Sequence, residues 1–403
     1  MADTQARTQC CVVGAGPAGV FLALLLAQRG VEVVVLEAHG DFDRDFRGDT
    51  VHPATLELLA EMGLVEQVLA LPHGRIDRMR LHAGARSWQV ANFSRLRTAY
   101  PYVAIIPQSE FLACLAEAAD LLPTFSRRMG AGVVDVIEDD GRVSGVRYRE
   151  AGELHELRAD LVVGTDGRFS RLRRILGAEV DAAAPPMDVA WARIPRGEED
   201  APGFHVGAGR LLVHFRRPDA IQLGYVFPRD GFAPLKTAGI AAFRASIAEM
   251  VPAWAERLEA IESFADVHLL RVQSDCLRRW YRDGLLLLGD AAHAFSPVGG
   301  VGINYAIGDA AEAVELLLPA FRDGGPVATS VLARVEARRR PLVRWVQRAQ
   351  TQAQSMLVER ALDDARAFVP PWPMRALLAV PGLRDLPARM MAFGPRKVRL
   401  PAL

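Results

Sequence analysis

The chain has 403 residues, of which 50% are hydrophobic and 24% are charged, and its formal net charge is zero. This length allows two or three packed cores. The lack of a basic excess disfavours a broad nucleic-acid surface. The longest strongly apolar run, VFLALLLA, is far shorter than the roughly 20 residues that a membrane span requires. Four cysteines without a CxxC spacing predict buried, reduced thiols in a cytoplasmic protein.

The beginning of the chain has the pattern of a βαβ unit. A short apolar run, Cys10 to Val13, predicts a buried parallel strand, and a leucine-rich helix precedes a second strand, VEVVVL. The glycines between the first strand and the helix have GxGxxG spacing. In such a loop the first glycine allows a tight turn, the second lets a pyrophosphate approach, and the third lets helix and strand pack closely. They are Gly14, Gly16 and Gly19, with Pro17 and Ala18 between the last two.

An acidic residue, Glu37, ends the second predicted strand, and Ala38 follows it. This position, about twenty residues after the glycines, suits a hydrogen bond to a ribose diol. The free amides at the start of the first helix suit a phosphate. Strand, glycines, helix, second strand and acid in this order predict a dinucleotide site, and the acid favours FAD or NAD over NADP there.

The middle of the chain changes character twice. A helix is predicted at HPATLELLAEMG, with Pro53 in its first turn, and another starts near Gln108. A buried strand, DLVVG, then leads to Asp166 and Gly167. From 187 to 275 a run of antiparallel strands predicts an inserted second domain. A long Arg-rich helical region follows from 327 to 368, with Pro341 as a candidate break, before a Pro-rich tail.

The segment LLLLGDAAHAFSPVGGVGINYAIGDA joins a buried strand to a helix through a glycine-rich loop. Gly299, Gly300 and Gly302 leave the backbone bare, which suits the close approach of a flat flavin ring. The start of the following helix can direct its amides at an anionic edge of that ring. Asp290 ends the buried strand, where a carboxylate can accept hydrogen bonds from ligand hydroxyl groups, whereas His293 is expected to be structural.

Three motifs stand in a fixed order: GAGPAG with Glu37, GTDGRFSRLRR, and GDAAHAFSPVGGVGINYAIGDA. In this order they resemble the class A flavoprotein monooxygenases, the FAD-dependent aromatic hydroxylases typified by para-hydroxybenzoate hydroxylase. The resemblance implies an α/β fold with a Rossmann-like FAD-binding domain, an inserted and mainly antiparallel β-sheet substrate domain, and C-terminal helices. The expected bounds are 1–75, 103–180 and 280–325 for the FAD-binding domain, 76–102 and 181–279 for the substrate domain, and 326–403 for the helical region.

The resemblance also implies roles for matched positions. The N-terminal glycines would hold the ADP half of FAD, Arg47 would reach its flavin side, Asp290 would bind the ribityl chain and residues 297–302 would wrap the isoalloxazine. Val301 stands where the family often has Gln, which makes this side of the pocket more apolar. The predicted cofactor contacts are Gly14, Gly16, Pro17, Ala18, Gly19, Glu37, Ala38, Arg47, Gln108, Asp166, Gly167, Gly289, Asp290, Pro297, Gly300, Val301, Gly302, Ile303 and Asn304.

The implied activity is hydroxylation of an aromatic, phenolic or polyketide-like small molecule. FAD would be the cofactor, NADPH or NADH the electron donor and O2 the co-substrate, through a flavin C4a-hydroperoxide. The protein would position the ring and exclude water, and no metal is expected. A base that deprotonates a phenol would help, although none is assigned. The pocket candidates are His52, His214, Gln222, Tyr225 and Pro297.

Four alternatives remain open. The same fold could catalyse Baeyer–Villiger insertion or epoxidation, act as a quinone-pathway hydroxylase, or halogenate, although the WxWxIP signature of the halogenases is absent. A non-catalytic flavoprotein is the fourth, and ligand-stimulated NAD(P)H consumption separates it from the enzymes. We expect a cytoplasmic monomer or homodimer with no nucleic-acid partner and no membrane contact.

Overall fold

The computed structural model of the chain describes residues 6–43, 49–183, 185, 187–197, 202–207, 209–361 and 368–400. Arg47, expected to reach the flavin side of the cofactor, lies outside these residues. None of the described helices is both long and apolar enough to cross a membrane.

Strands and helices alternate at the start, antiparallel strands fill the middle and helices end the chain. The strands are β1 (Arg7–Val13), β2 (Val33–Glu37), β3 (Thr50–Val51), β4 (Gly74–Ile76), β5 (Arg78–Ala83), β6 (Arg86–Asn92), β7 (Val103–Ile105), β8 (Phe125–Met129), β9 (Gly132–Asp139), β10 (Arg142–Glu150), β11 (Glu153–Gly164), β12 (Val180–Ala183), β13 (Met187–Pro195), β14 (Gly203–Gly207), β15 (Arg210–Arg216), β16 (Ala220–Pro228), β17 (His268–Arg271), β18 (Ser274–Leu277), β19 (Tyr281–Arg282), β20 (Leu285–Leu287) and β21 (His293–Ala294). The helices are α1 (Pro17–Ala27), α2 (Pro53–Glu61), α3 (Val65–Ala70), α4 (Gln108–Asp120), α5 (Arg171–Leu176), α6 (Phe232–Ala238), α7 (Ile240–Met250), α8 (Gly302–Asp323), α9 (Thr329–Ala361), α10 (Trp372–Ala379) and α11 (Leu386–Phe393).

The first sheet is the predicted Rossmann-like sheet. Its strands follow the order β19-β20-β11-β1-β2-β8, and each neighbouring pair from β20 to β8 is parallel. Cys10 and Val12 of β1 lie in one hydrophobic core, whereas Cys11 and Val13 lie in another. An uninterrupted apolar strand is typical of such burial on both faces. The carboxyl ends of β1, β2 and β11 meet at one edge, where ligands bind in open parallel sheets.

The second sheet is the predicted inserted sheet. Its order is β17-β13-β16-β15-β14-β5-β6, and its pairs are antiparallel except for β14 with β5. Side chains alternate between its two faces. One face packs on α7 and Trp254 in a core that includes Leu212 and Leu223. The opposite face lines a cavity, to which Val213 and Val226 contribute.

The C-terminal region differs from the sequence expectation at Pro341. The helix α9 passes Pro341 without a break, although a proline in a helix interior removes one backbone hydrogen bond. Burial of Val335 and Val343 on the two sides of Pro341 holds the helix on the body of the protein. The Pro-rich tail forms α10 and α11, in agreement with the C-terminal helices that the resemblance implies.

Candidate active site

One cavity of about 1580 Å³ is lined both by the edge of the first sheet and by the second sheet. A site for a single drug-sized molecule has roughly 300–1,000 Å³. The larger volume leaves room for a dinucleotide and a second ligand together. The two ends of this cavity are built differently.

The three glycines of the first loop have separate reasons to lack a side chain. Gly14 has a φ of +99°, and a Cβ there would lie 2.8 Å from the backbone of Thr165. A Cβ on Gly19 would lie 2.0 Å from the carbonyl oxygen of Gly14, so packing of α1 on β1 requires this glycine. A Cβ on Gly16 would meet no atom outside its chain neighbours nearer than 3.8 Å, and Gly16 lines the cavity. The space at Gly16 is therefore free for a ligand.

Glu37 stands at the end of β2 and faces the same space. Its carboxylate accepts hydrogen bonds from the amides of Ala15, at 2.8 Å, and His39, at 3.0 Å. The side chain is 7% exposed and lines the cavity beside Ala38. The amide of Ala15 thus fixes this carboxylate next to the glycine loop, which is the position that a ribose-binding acid needs.

Two further acids lie along the cavity. Oδ2 of Asp166 accepts a hydrogen bond from the amide of Arg171 at 2.8 Å. The other carboxylate oxygen, Oδ1, is buried and has no hydrogen-bond partner among the described residues. Burial raises the pKa of this carboxyl above its ordinary value. Asp290 lies 4.0 Å from Arg168 in a one-turn helix after β20 rather than at the strand end. A buried oxygen without a partner suits a ligand that carries hydroxyl groups.

The glycine-rich loop before α8 is held by a hydrogen bond from β3. The hydroxyl group of Thr50 donates a hydrogen bond to the carbonyl oxygen of Gly300 at 2.7 Å. Gly299 and Gly300 have φ values of +83° and +61°, which favour glycine. A Cβ on Gly302 would point into open space. Gly299, Gly300 and Gly302 therefore leave bare backbone in the cavity wall, to which Val301 adds one apolar residue, and this stretch suits a flat ring.

Asn304 has a different place from the one expected. Its Oδ1 accepts from the amide of His52, at 2.9 Å, and from the hydroxyl of Thr55, at 2.8 Å. Its Nδ2 donates to the carbonyl oxygens of Thr50 and Gly300. The side chain thus joins the start of α2 to the glycine-rich loop and does not line the cavity. Among the other predicted cofactor contacts, Gly19 and Gly289 also lie behind the cavity wall, whereas the remaining described ones line it.

Three glutamines that the sequence analysis did not select support this loop from α9. Gln347, Gln350 and Gln354 lie on one helical face, as spacings of three and four residues require. Gln347 donates to the carbonyl oxygen of Ala294 at 2.9 Å, and Gln350 donates to those of Ser296, at 3.0 Å, and Val298, at 2.7 Å. Gln354 bonds the hydroxyl of Ser296. These amides satisfy the backbone just before the glycine-rich loop. The spacing was visible in the sequence, but the carbonyls that it serves were not.

His293 belongs to a buried structural network, as expected. Its Nε2 lies 2.6 Å from Asp309 Oδ2, and Arg339 Nε donates to Asp309 Oδ1 at 2.6 Å. Burial opposes ionisation of Asp309, but His293 and Arg339 outweigh it and hold the pKa of Asp309 below its ordinary value. Asp309 also accepts a hydrogen bond from the amide of Gly289 at 3.2 Å. The network fixes the turn that carries Asp290 between α8 and α9.

The expectation that His214 and Tyr225 belong to the substrate pocket does not fit the structure. Nε2 of His214 lies 3.1 Å from Nε2 of His205, and Tyr225 packs edge-on against Phe243. Both side chains lie on the face of the second sheet away from the cavity. Strand alternation explains this placement, because Val213 and Val226, their neighbours along β15 and β16, face the cavity.

The other three pocket candidates, His52, Gln222 and Pro297, do line the cavity. Nδ1 of His52 lies 2.6 Å from the carbonyl oxygen of Met391. Since a carbonyl only accepts, this nitrogen carries the proton. Burial lowers the pKa of His52 to about 4, against the effect of that hydrogen bond, so the imidazole is neutral near pH 7.

The other end of the cavity, at the second sheet, is built from apolar side chains. Trp191 lies on Gly224, where a Cβ would come within 2.8 Å of the indole, and it stacks on Phe215 with ring centroids 6.3 Å apart. Aromatic and methionine side chains make favourable contacts with aromatic rings. The apolar lining comprises Met79, Leu81, Val90, Met187, Val189, Trp191, Phe204, Val206, Leu211, Val213, Phe215, Val226, Phe368, Met374 and Met391.

Comparisons with known proteins identify the family of the chain. Residues 7–350 match the family model described as FAD binding domain. The 6-methylpretetramide 4-monooxygenase of Streptomyces rimosus is 34% identical over 400 residues, which cover 98% of this chain and 94% of that protein. The para-nitrophenol 4-monooxygenase of a Pseudomonas species is 26% identical over 340 residues, 79% of each chain.

A solved structure, that of the OxyS anhydrotetracycline hydroxylase from Streptomyces rimosus, has a TM-score of 0.73 and 25% identity and covers 98% of this chain and 77% of that one. Together with the matched family, these relatives show an enzyme that uses FAD, NAD(P)H and O2 to hydroxylate aromatic compounds. The motifs predicted this activity. The chain belongs to the FAD-binding-domain family of flavoprotein monooxygenases.

Proposed function

We propose that this monooxygenase hydroxylates a polycyclic, phenolic aromatic compound of the polyketide type. The observation that carries the proposal is the single cavity, which has a dinucleotide loop at one end and an aromatic and methionine-rich wall at the other. A ligand at the apolar wall would lie in the same cavity as a ring placed along residues 297–302. The relatives that act on 6-methylpretetramide and anhydrotetracycline support a substrate of the same class.

The residues present fit FAD. We propose that Gly16 and Glu37 hold the ADP half, that Asp166 and Asp290 accept hydrogen bonds from its hydroxyl groups, and that the bare backbone from 299 to 302 lies against the isoalloxazine. Bound FAD supplies the acceptance of hydride from NAD(P)H and the activation of O2. The protein's part is to hold the two ring systems in one orientation and to keep water out.

The substrate wall supports binding without an acid–base pair. Its lining is apolar apart from a few side chains, and burial keeps the imidazole of His52 neutral near pH 7, with Nδ1 donating to Met391. Apolar surface buried on binding contributes roughly 25 cal/mol per Å², which favours a large planar substrate over a single ring. We therefore propose that affinity comes from the area of the ring system and that orientation comes from few polar contacts.

The remaining assignments belong to the same proposal. The sheets support the domain bounds given above, because β5 and β6 join β13–β17 in one sheet. The four cysteines are free, which supports a reducing, cytoplasmic location. The formal net charge of zero supports function without a nucleic-acid partner, and we propose a monomer or homodimer.

The test is substrate-stimulated NADPH consumption by the purified holoenzyme, with phenol and phenanthrol, a tricyclic phenol, as probes. We expect phenanthrol to stimulate consumption at a lower concentration than phenol, and its product to gain one oxygen atom from isotopically labelled O2. Product analysis separates a hydroxylated ring from an epoxide or a ring-expanded lactone. Stimulation by phenol alone would contradict the polycyclic assignment.

A further inference from the structure

Gln222 places a polar amide group in the apolar wall of the cavity. Its side chain lines the cavity and is 6% exposed. Its Oε1 lies 3.0 Å from Nη1 of Arg217. Because a guanidinium only donates, the oxygen Oε1 must face Arg217, and this fixes the orientation of the amide. The Nε2 group has no hydrogen-bond partner among the described residues, so its two N–H bonds are left for the cavity.

A buried ion pair fixes this orientation. Nη1 of Arg217 also contacts Oδ2 of Asp49, and both side chains are about nine-tenths buried, at 9% and 10% exposed. The other carboxylate oxygen of Asp49 accepts the amide of Gln108 at the start of α4, at 3.3 Å. A guanidinium on the carbonyl oxygen polarises the amide and strengthens its N–H groups as donors. Gln222 is therefore a fixed and strengthened donor.

The same pair connects this donor to the glycine-rich loop. Asp49 precedes Thr50, whose hydroxyl bonds the carbonyl oxygen of Gly300 at 2.7 Å. Phe215 lies opposite Gln222 in the pairing of β15 with β16, and it stacks on Trp191. A donor tied to the loop thus stands beside the aromatic side chains of the wall. A substrate oxygen held there has a fixed distance to the loop against which the isoalloxazine is placed.

We propose that Nε2 of Gln222 donates a hydrogen bond to an acceptor oxygen of the aromatic substrate, and that Arg217 and Asp49 position it for this purpose. The inference rests on the proposed function, because it assigns the donor that orients the polycyclic phenol. The contact selects oxygenated rings over hydrocarbons and determines which ring carbon faces the glycine-rich loop. Gln222 is thus a specificity residue that donates, and it is not a base.

The experiment compares two ligands that differ by one hydroxyl group, phenanthrol and phenanthrene, by equilibrium dialysis against the oxidised holoenzyme. Gln222→Met keeps the length of the side chain and removes its donor. We expect the affinity for phenanthrol to fall about 5- to 10-fold, as the loss of one hydrogen bond implies, and the affinity for phenanthrene to stay within about twofold.

Gln222→Glu is the second variant, because it keeps the shape and replaces the donor by an acceptor. We expect it to weaken phenanthrol binding by at least as much, about 10-fold. Gln273→Leu is the matched control, since Gln273 also lines the cavity but is exposed and lies outside the Arg217 network. Its ratio of phenanthrol to phenanthrene affinity should stay within about twofold of the wild type.

Arg217→Lys tests the positioning role, because a lysine retains the charge beside Asp49 but lacks the planar fork that also reaches Gln222. We expect less oxygenated product and more peroxide per NADPH consumed, with flavin content unchanged. A purely structural role for Arg217 would change stability without changing this ratio.

The outcomes separate this inference from the proposed function. Equal phenanthrol affinity in the wild type and Gln222→Met overturns the inference, and so does an equal loss for both ligands, which would mean that Gln222 only packs. A wild-type enzyme that binds neither ligand, yet consumes NADPH with phenol, overturns the proposed substrate class itself. Bound flavin and the thermal midpoint of each variant confirm that the folded holoenzyme was compared.

Discussion

The two ends of the cavity differ in whether backbone or side chains line them. The end where we place the cofactor presents backbone: Gly14 and Gly16 after β1, the glycine-rich loop before α8, and carboxylates fixed by main-chain amides. The substrate end presents side chains from strands far apart in sequence, among them Met79, Trp191 and Phe215. Backbone sites depend on short contiguous segments, whereas a side-chain wall depends on how distant strands pair. The two ends should therefore respond differently to substitution.

The largest expected effect contrasts two glycines of the same loop. Gly19→Ala places a Cβ 2.0 Å from the carbonyl oxygen of Gly14, so α1 cannot pack on β1 and the protein should not fold. Gly16→Ala has room in the protein, where the nearest atom is 3.8 Å away, but its methyl group occupies ligand space. We expect a folded protein without flavin, measured by far-UV circular dichroism and visible absorption. A yellow Gly16→Ala protein would contradict the placement of the cofactor.

The next effect tests the network behind the cofactor end. Asp309→Asn leaves Arg339 buried without its charge partner, which typically costs about 3–5 kcal/mol of unfolding free energy. Arg128→Met is the control, because its pair with Glu150 is partly exposed and such pairs contribute less than about 1 kcal/mol. Urea denaturation measures both variants. Similar losses in the two variants would show that the Asp309 network is not special.

A pH effect is expected at the boundary between the two ends. Burial lowers the pKa of His52 to about 4 in the folded protein, from an ordinary value of 6.5. Between these values the unfolded chain binds a proton that the folded protein does not, so stability falls as the pH decreases from 6.5 to 4. The loss amounts to about 3 kcal/mol at most. Urea denaturation across this pH range should show a smaller loss in His52→Gln, and parallel curves would refute the assignment.

The smallest effect concerns the glutamines of α9. Gln350→Met removes two hydrogen bonds to the backbone before the glycine-rich loop, so that loop should lose order. We expect the affinity of the apoprotein for FAD to fall about 5- to 10-fold. Gln352→Met provides the control, since Gln352 is exposed on another face of the same helix. Titration of the apoprotein with FAD measures both, and equal affinities would mean that α9 does not support the loop.

The same division explains what the sequence could reveal. The loop with Gly14 and Gly16 and the loop from 297 to 302 were predicted because each is one contiguous segment whose glycine spacing can be read directly from the sequence. The face on which His214 and Tyr225 lie was not predictable, because alternation gives two faces but not which one is buried against the cavity. The pair of Arg217 with Asp49 joins residues 168 positions apart, so no local pattern indicates it. Pro341 failed as a helix break because tertiary packing outweighed its local cost.

The most direct test of the shared cavity is a difference absorption spectrum of the oxidised holoenzyme titrated with phenanthrol. If the polycyclic ring and the isoalloxazine lie in one enclosed space, binding should displace water from the flavin and perturb its visible bands. The perturbation should saturate with the dissociation constant found by dialysis. Phenanthrol that binds by dialysis while the flavin bands stay unchanged would contradict a common cavity, and with it the account of the two ends as one active site.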